Sequence, residues 1–493
     1  MIISFYTLGC KVNQYETEML KERFKEKGHE ITDEEAFADV YVINTCTVTS
    51  LADRKSRQYI RRMKKKNQDA IIAVTGCYAQ IKPEEVSAID GVDIVTGTNQ
   101  KGQIVELVEK FFENTADKKS IKETEDFIVL PADANDTSIK NRKTKTEVIC
   151  VVKDGKELTE YEETGIITSM ESRTRAYIKV QEGCNRFCSY CIIPYARGQV
   201  RSRNPKDVVA EAQSLLDQGF KEIILTGINT ALYGTEKGFK EKYQMSFEIK
   251  NNPKQCDDDA TYEGVDGIEI LIKALNDLPG DFRIRLSSLE PTVINKDYVK
   301  GLLKYEKLCH HLHLSIQSGS NSILKAMNRR YTREEYLEIV RELQQFDSGY
   351  GITTDIIVGF PGETEEDFQD SLDIAEKAGF CRVHPFKYSK RNGTKAAEMS
   401  SQINGEIKKD RMNCLLEKSE NVSQKFYRDC FGRKERVLTE EYAEDGKYII
   451  GYSGNYIKTY IPLGENSIIP KDCFVEVVLK EPYKDGVLAA LWV

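Results

Sequence analysis

EGCNRFCSYCIIPYARG, residues 182–198, is the stretch that decides the fold, because it places three cysteines within eight positions. The spacing is Cys184-x3-Cys188-x2-Cys191, and we call these three the middle cysteines. Three thiolates this close can each hold one iron of a cubane cluster and leave the fourth iron open to a small molecule. A structural zinc site would need a fourth ligand, yet no His or Cys lies between positions 192 and 255. The spacing therefore favours a catalytic iron–sulfur centre over a zinc knuckle with a remote ligand.

Strand-like and helix-like segments alternate on both sides of this stretch. Strands are predicted at AYIKVQ, EIILTG, FRIRLSS, HLHLSIQ, TTDIIVGF and VHPFKYS, and helices are predicted to begin near positions 205, 266, 294, 321, 333 and 363. Six successive βα units predict an open or partial barrel whose site lies where strands end and loops begin. Residues 235–263 interrupt the alternation and are predicted to be a loop insertion.

The remaining chain divides into four further parts. In residues 1–112, the β-rich runs IISFYTLG, VYVINT and AIIAVTG are each followed by a helix-prone segment, which predicts an α/β domain with a doubly wound parallel sheet. Residues 113–172 are predicted to be a linker with one hairpin, which leads into the barrel described above, predicted over residues 173–403. Residues 404–430 are predicted to be a connecting helix, and the short β-type runs of 431–493 predict a small β-barrel.

Composition limits the class of protein. The chain has 493 residues, 13 cysteines and a formal net charge of −8. The N-terminus has no basic leader, and apolar runs such as 70–74 are too short to span a membrane. We therefore expect a cytoplasmic protein whose cysteines serve metal binding or catalysis and not disulfides. The negative charge gives no general support for a nucleic-acid partner.

A second group, the N-terminal cysteines, comprises Cys10, Cys46 and Cys77. Each comes at the end of a predicted parallel strand, in TLGC, INTC and TGC. Such strand ends share one edge of a doubly wound sheet, so the sulfurs can converge. Glycines before Cys10 and Cys77 let the backbone approach a bulky group closely. The alternative is that these cysteines are buried packing residues; a cluster-type group elsewhere in the chain favours a second cluster.

The middle cysteines, with Tyr190 before the third, resemble the motif of the radical S-adenosylmethionine superfamily. The resemblance implies a 4Fe–4S cluster that binds S-adenosylmethionine and cleaves it to a 5′-deoxyadenosyl radical. Several residues at predicted strand ends then become candidates for binding this cofactor. With Tyr190, they are Thr226, Gly227, Ser287, Glu290, Gln317, Arg329 and Asp355.

Further motifs resemble the methylthiotransferases within that superfamily: TLGCKVNQYET, NTCTVT, TGCYAQ, HLSIQSGSNSILKAMNRRYT and TDIIVGFPGETEEDF. The first motif is most similar to the MtaB type, which modifies threonylcarbamoyladenosine next to the tRNA anticodon. The resemblance implies two 4Fe–4S clusters, S-adenosylmethionine, a tRNA partner and an electron donor such as flavodoxin or ferredoxin. It also implies that sulfur is methylated at the N-terminal cluster and that the radical activates carbon 2 of adenine. Asn229, where many MtaB-type sequences have His, and the 235–263 insertion depart from the pattern.

RNA contact is predicted from local features. The run RKSRQYIRRMKKK, residues 54–66, carries eight basic residues and no acid, which is compatible with phosphate contact or with a solvated helix. Arg197, Arg201 and Arg203 could position phosphates or pair with acids. Residues 431–493 resemble the RNA-binding TRAM domain but hold eight Lys or Arg against ten Asp or Glu.

Two alternatives to the MtaB-type activity remain at this point. One is a methylthiotransferase for isopentenyladenosine in tRNA or for a ribosomal-protein aspartate. The other is a non-catalytic iron–sulfur protein that binds RNA or senses redox state. The second is disfavoured, because sensing needs neither six βα units nor a set of cofactor loops.

Overall fold

A computed structural model describes residues 1–117, 128–130, 148–163, 165–167, 174–243, 267–292, 294–464 and 469–492. The predicted insertion at 235–263 therefore lies largely outside the described residues, as does much of the predicted linker at 113–172.

The N-terminal part is a doubly wound sheet, as predicted. Its elements are β1 (Ile2–Thr7), α1 (Lys11–Glu26), β2 (Glu30–Thr32), β3 (Val40–Thr45), α2 (Ser50–Lys66), β4 (Ile71–Gly76), α3 (Cys77–Ile81), α4 (Pro83–Ser87), β5 (Ile94–Thr96), α5 (Ile104–Asp117), β6 (Ile128–Leu130) and β7 (Val148–Val151). The strand order is β2-β1-β3-β4-β5-β7-β6, with every pair parallel except β6–β7. Thus β6 and β7, from the stretch predicted as a linker, extend this sheet.

Side chains alternate between the two faces of the sheet, and each face buries its own core. Val40 and Val42 pack with α1 and α5, whereas Tyr41 and Ile43 pack with α2. The strand sequences are apolar on both faces, as a parallel sheet covered by helices requires.

The central part contains the six predicted βα units. Its elements are β8 (Arg175–Glu182), α6 (Ile193–Arg197), β9 (Arg201–Ser202), α7 (Pro205–Asp217), β10 (Glu222–Gly227), α8 (Phe239–Lys242), α9 (Glu269–Asn276), β11 (Arg283–Leu286), β12 (Ser288–Leu289), α10 (Lys296–Leu302), β13 (His311–Leu314), α11 (Asn321–Ala326), α12 (Arg333–Phe346), β14 (Gly351–Val358), α13 (Glu365–Ala378), β15 (Arg382–Lys387) and α14 (Lys395–Glu398). Two sheets form, β11-β10-β8-β9 and β12-β13-β14-β15, and all pairs are parallel except β8–β9.

The third barrel position is split between two short strands. β11 pairs with β10, and β12, which begins two residues after β11 ends, pairs with β13. A bridge between Ile284 and Leu308 also links the two sheets. The split bends one wall into an open barrel, which confirms the predicted partial (βα)6 arrangement.

Helix starts follow the local sequence closely. In α13, the Thr364 hydroxyl accepts from the Asp367 amide, and the Asp367 carboxylate accepts from the Thr364 amide in a reciprocal capping box. α12 begins with the same device at Thr332 and Glu335.

The C-terminal part begins with α15 (Gly405–Asp429) and continues as β16 (Lys434–Tyr442), β17 (Tyr448–Tyr452), β18 (Lys458–Pro462), β19 (Phe474–Tyr483) and β20 (Gly486–Leu491). The strands close into a barrel in the order β16-β17-β18-β20-β19, which confirms the predicted small barrel. Its loop at 453–456 docks against the barrel of the central part. Asn455 Nδ2 donates to Gly349 O over 3.0 Å, and the Tyr456 ring stacks on His311 with centroids 4.6 Å apart.

Candidate functional site

The middle cysteines lie in the loop between β8 and α6, at the carboxyl end of the first barrel strand. Gly183 opens this loop with φ +71°, and a Cβ there would lie 1.6 Å from Gln199 O. Only glycine therefore lets the loop cross the segment after α6 so closely. Burial, together with the neighbouring Cys188, raises the pKa of Cys184 to about 11 and that of Cys191 to about 12.

All three thiols must lose their protons before they can bind iron. Neutral thiols bind iron poorly, because the thiolate is the ligand. In this buried loop, deprotonation requires a nearby positive charge, which bound iron supplies. The donor set thus fits an iron–sulfur cluster.

The N-terminal cysteines follow β1, β3 and β4, and their loops touch one another. A Cβ on Gly9 would lie 2.9 Å from Cys46 Cβ, and one on Gly76 would lie 2.3 Å from Thr45 O. Burial, together with the neighbouring Cys77 and Cys10, raises the pKa of Cys46 to about 12. The strand-end cysteines are therefore brought together at one sheet edge, as the sequence predicts.

Within the part of the chain that the structure describes, no three His, Cys, Asp or Glu side chains converge to hold a metal ion. A cubane cluster makes a different demand, because each thiolate binds a separate iron and the sulfurs stand further apart than around one ion.

A cavity of about 420 Å³ joins the two cysteine groups. Cys10 lines it on one side, and all three middle cysteines line it on the other. Its wall also includes six of the predicted cofactor residues: Tyr190, Gly227, Glu290, Gln317, Arg329 and Asp355. Thr226 and Ser287 do not line the cavity; the residues that follow them, Gly227 and Ser288, do.

A charged cluster forms one wall of the cavity beside the middle cysteines. Glu290 Oε1 accepts from Arg329 Nη1 over 2.7 Å, and Glu290 Oε2 accepts from Asn229 Nδ2 over 3.0 Å. Arg329 Nη2 donates to the Tyr190 hydroxyl over 2.8 Å. Asn229 Oδ1 and Arg329 Nε are buried and have no hydrogen-bond partner among the residues that the structure describes. A free acceptor and a free donor at the cavity suit the amino and carboxylate groups of an amino-acid-type cofactor.

Arg197, in the sequence motif itself, connects the two cysteine groups. Its side chain is fully buried, and Nε donates to Cys77 Sγ over 3.3 Å. Nη1 donates to Glu16 and to Glu182, each over 2.5 Å, and Nη2 donates to Asn13 over 2.7 Å. One guanidinium from the barrel loop thus anchors α1 and an N-terminal cysteine. The buried side chains of Arg201 and Arg203 likewise pair with acids; for these three arginines the acid-pairing alternative is correct.

The sequence named Arg197 but not its partners, because Glu16 is remote from it in the chain. It also missed a histidine group inside the barrel. His313 Nε2 lies 3.0 Å from Ser315 Oγ and 3.2 Å from Asp355 Oδ2, and its ring centroid is 5.9 Å from that of His384. The alternation in HLHLSIQ was the available signal, since it places these polar residues on one face of a strand.

α2, the predicted basic helix, begins beside the cavity, with Val48 and Thr49 on the cavity wall. Five of its cations are solvent-exposed and have no ion pair within the described residues: Arg54, Lys55, Arg61, Lys65 and Lys66. Arg57 and Arg62 instead pair with Glu85 and Glu35.

Among the described residues, no helix has the length and apolar character needed to cross a membrane.

Comparison with known proteins identifies two sequence families in the chain. The radical SAM superfamily matches residues 178–375, and the uncharacterized protein family UPF0004 matches residues 3–97. These ranges contain the middle and the N-terminal cysteines, respectively.

Curated relatives match nearly the whole chain. The threonylcarbamoyladenosine tRNA methylthiotransferase MtaB of Bacillus subtilis is 38% identical over 98% of this chain and 95% of its own length. The protein of the same name from Aquifex aeolicus is 36% identical over 90% and 93%. The tRNA-2-methylthio-N(6)-dimethylallyladenosine synthase of Alkaliphilus oremlandii is 35% identical over 88% and 81%.

A solved structure supports the fold. The radical S-adenosylmethionine methyltransferase TsrM from Kitasatospora setae, with cobalamin and a 4Fe–4S cluster bound, has a TM-score of 0.53 and 15% identity. The match covers 80% of this chain and 74% of TsrM. At this identity the likeness concerns the fold alone.

The chain belongs to the methylthiotransferase family of radical S-adenosylmethionine enzymes, as the two sequence families and the near-full-length relatives show. Its cofactors are accordingly S-adenosylmethionine and 4Fe–4S clusters.

Proposed function

We propose that this enzyme transfers a methylthio group to carbon 2 of N6-threonylcarbamoyladenosine at position 37 of tRNA. One observation carries the proposal: Cys10 and the middle cysteines line the same cavity, at the boundary between the sheet and the barrel. A base in that cavity would contact both reaction centres without moving between them. The relatives from Bacillus subtilis and Aquifex aeolicus, named for this substrate, support the choice of base.

In this proposal each cysteine group holds one 4Fe–4S cluster, the N-terminal cysteines on one side and the middle cysteines on the other. The bound cofactors would supply radical chemistry at carbon 2 and the methylated sulfur. The chain's own residues then have separate tasks. The Glu290–Arg329–Tyr190 cluster orients the amino-acid portion of S-adenosylmethionine, and Gly227 leaves room for close backbone approach.

Gln317 and Asp355 lie on the same wall, and we propose that they contact the nucleoside portion of the cofactor. Gln317 is held at φ +72° by hydrogen bonds that link its backbone to Asp355 O and to the Ile357 amide, both 2.9 Å long. This pairing keeps the side chains at fixed positions on the cavity wall.

RNA would approach along α2. Of its exposed cations, Arg54 and Lys55 lie nearest to the end that adjoins the cavity. The exposed side chains of Val48, Phe187 and Phe386 lie at or near the cavity wall and offer apolar surface to unstacked bases. A tRNA substrate would place the enzyme in the cytoplasm. Reductive cleavage of S-adenosylmethionine also consumes electrons, and we propose a carrier such as flavodoxin or ferredoxin as donor.

Two cysteine variants test the assignment of the clusters. With anaerobically reconstituted enzyme and tRNA, Cys188→Ala should abolish formation of 5′-deoxyadenosine, because it removes one iron ligand at the radical centre. Cys46→Ala should retain much of that cleavage but form no methylthio product. Cys414→Ala, at an exposed cysteine, is the matched control. Product formation by Cys46→Ala would contradict the second cluster.

The substrate is tested by mass spectrometry of tRNA nucleosides from cells that lack the gene. Loss of the methylthio group from threonylcarbamoyladenosine, restored by the wild-type gene, is the expected result. Loss from isopentenyladenosine instead would favour the other tRNA substrate. Absence of any 5′-deoxyadenosine from the purified enzyme would favour a non-catalytic protein.

A further inference from the structure

The interior of the barrel is polar. Alternate side chains of each strand pack outward against the helices, as Ile178, Ile223 and Leu312 do. The side chains between them face one another across the interior, where Glu222 of β10 meets Arg283 and Arg285 of β11. The interior is therefore a chamber of charged and hydrogen-bonding groups, which begins directly below the cavity.

The chamber borders the cavity, and the two share side chains at their boundary. Ser315 and Asp355 line the cavity, and both contact His313 inside the barrel, at 3.0 and 3.2 Å from its Nε2. The His384 ring follows, with its centroid 5.9 Å from that of His313. A substituent on a base bound in the cavity would therefore meet Ser315 and Asp355 at the boundary with the chamber.

Most charges in the chamber are paired. Arg283 Nε donates to Glu222 Oε2 over 2.5 Å, and Arg285 Nε donates to Glu222 Oε1 over 2.8 Å. Arg175 Nε lies 2.9 Å from Glu440 Oε1. Such pairing is expected, because an isolated charge removed from water is costly.

Lys11 is the exception. It follows Cys10 directly as the first residue of α1, and its Nζ lies 5.6 Å from the ring centroid of Tyr177 on β8. Burial lowers the pKa of His311 and of His384 inside the chamber, and the nearby charge of Lys11 adds to this effect. Within the residues that the structure describes, its half-buried ammonium has no carboxylate in ion-pair range and no hydrogen-bond acceptor. Among the described residues, the chamber thus holds a cation without a carboxylate in ion-pair range, beside a cysteine that lines the cavity.

We propose that the Lys11 ammonium binds the carboxylate of the threonylcarbamoyl group and so selects this base over adenosines with uncharged N6 substituents. The inference rests on the function proposed above. Carbon 2 and carbon 6, which carries N6, flank the same ring nitrogen of adenine, so a base with carbon 2 at the cysteines directs its N6 substituent nearby. A threonyl carboxylate would give Lys11 its counterion, whereas an apolar isopentenyl group would leave the cation unpaired and desolvated.

The wild-type enzyme alone provides a first test. We would compare two anticodon stem-loop RNAs with threonylcarbamoyladenosine at position 37, one carrying the free carboxylate and one carrying its primary carboxamide. Loss of the ion pair should weaken binding of the carboxamide RNA at least about tenfold. Equal affinity for the two RNAs would overturn the proposal whatever any variant does.

The Lys11→Met variant provides the second test. Its affinity for the carboxylate RNA should fall by about the same factor, while its affinity for the carboxamide RNA stays near that of the wild type. Lys11→Arg should restore part of the preference, and Lys27→Met, at the exposed far end of the same helix, is the control. Iron content and 5′-deoxyadenosine formation would show whether the clusters are intact.

The outcomes separate the two proposals. A Lys11→Met enzyme with intact clusters that still prefers the carboxylate RNA would refute the role of Lys11, even if the wild type methylthiolates that RNA. A wild-type enzyme that forms no methylthio product on either threonylcarbamoyl RNA would refute the proposed function, whatever the affinities.

Discussion

Replacing Arg197 by Met should destabilise the contact between the N-terminal sheet and the barrel. The guanidinium is fully buried and donates to both Glu16 and Glu182, which are buried as well. Burial opposes ionisation of Glu16, but Arg197, Lys101 and Lys179 together hold its pKa well below the usual range. The variant would therefore leave carboxylates that are still charged in a protein interior.

The magnitude follows from what remains around them. Removing one partner of a buried ion pair typically costs about 3–5 kcal/mol. Glu16 keeps Lys101 and Lys179, and Glu182 keeps Arg201 and Lys179, so we expect the lower end, about 3 kcal/mol. For a cooperative domain of about 150–250 residues, a loss of about 3 kcal/mol corresponds to a decrease in melting temperature of roughly 10 °C.

Differential scanning calorimetry of the reconstituted enzyme measures the effect, with the exposed Arg330→Met as control. Adding Glu16→Gln to Arg197→Met should recover part of the loss, because it removes the stranded charge. A melting temperature for Arg197→Met within about 2 °C of the wild type would refute the reasoning.

Three further predictions concern other parts of the chain. Burial alone would raise the pKa of Asp367. Hydrogen bonds from the hydroxyls of Ser320 and Ser322 and from the amide of Thr364 outweigh this effect and lower the pKa from 3.8 to about 2. The ionised Asp367 carboxylate should therefore stabilise the fold fully above pH 3.8, and this stabilisation should disappear as the pH falls toward about 2. The difference in melting temperature between wild type and Asp367→Asn should shrink over that interval. A difference that stays constant would contradict the prediction. A Cβ in Gly351→Ala would lie 2.0 Å from Asn455 O, so this variant should lose about 1–3 kcal/mol of stability in thermal melts. Gly405→Ala, where nothing lies within 4 Å, should lose none. Finally, a triple variant should weaken tRNA binding and lower the slope of log affinity against log salt by roughly 2; it combines Arg54→Ala, Lys55→Ala and Arg61→Ala. An unchanged slope would exclude α2 from phosphate contact.

Much of the fold was predictable because local patterns determine it. The β-rich runs of the first 112 residues and the six βα units predict the two architectures, and the motif glycines predict the close approaches at the cysteine loops. Positions such as Cys10 and Cys46 were predictable as neighbours, since the ends of adjacent parallel strands lie along one edge.

What escaped prediction depends on contacts between distant segments. Two partners of Arg197, Glu16 and Asn13, come from a helix of another domain. Nothing in the local sequence distinguishes its pairing with acid from phosphate binding. The lack of a counterion at Lys11 likewise emerges only once all neighbouring carboxylates are placed. The sequence predicts Thr226 and Ser287 as cofactor contacts at strand ends, but the residue after each of them, Gly227 and Ser288, lines the cavity instead.

The docking of the 453–456 loop has a practical consequence for experiments on RNA binding. Arg285 donates to Ser453 O and Gly454 O, and Tyr456 covers His311, so the C-terminal barrel closes the end of the chamber opposite the cavity. Deleting that domain to measure its share of tRNA affinity would also admit water beneath the radical centre. A truncated enzyme would then consume S-adenosylmethionine without product for a reason unrelated to RNA, and point substitutions on the outer face of the barrel are the cleaner experiment.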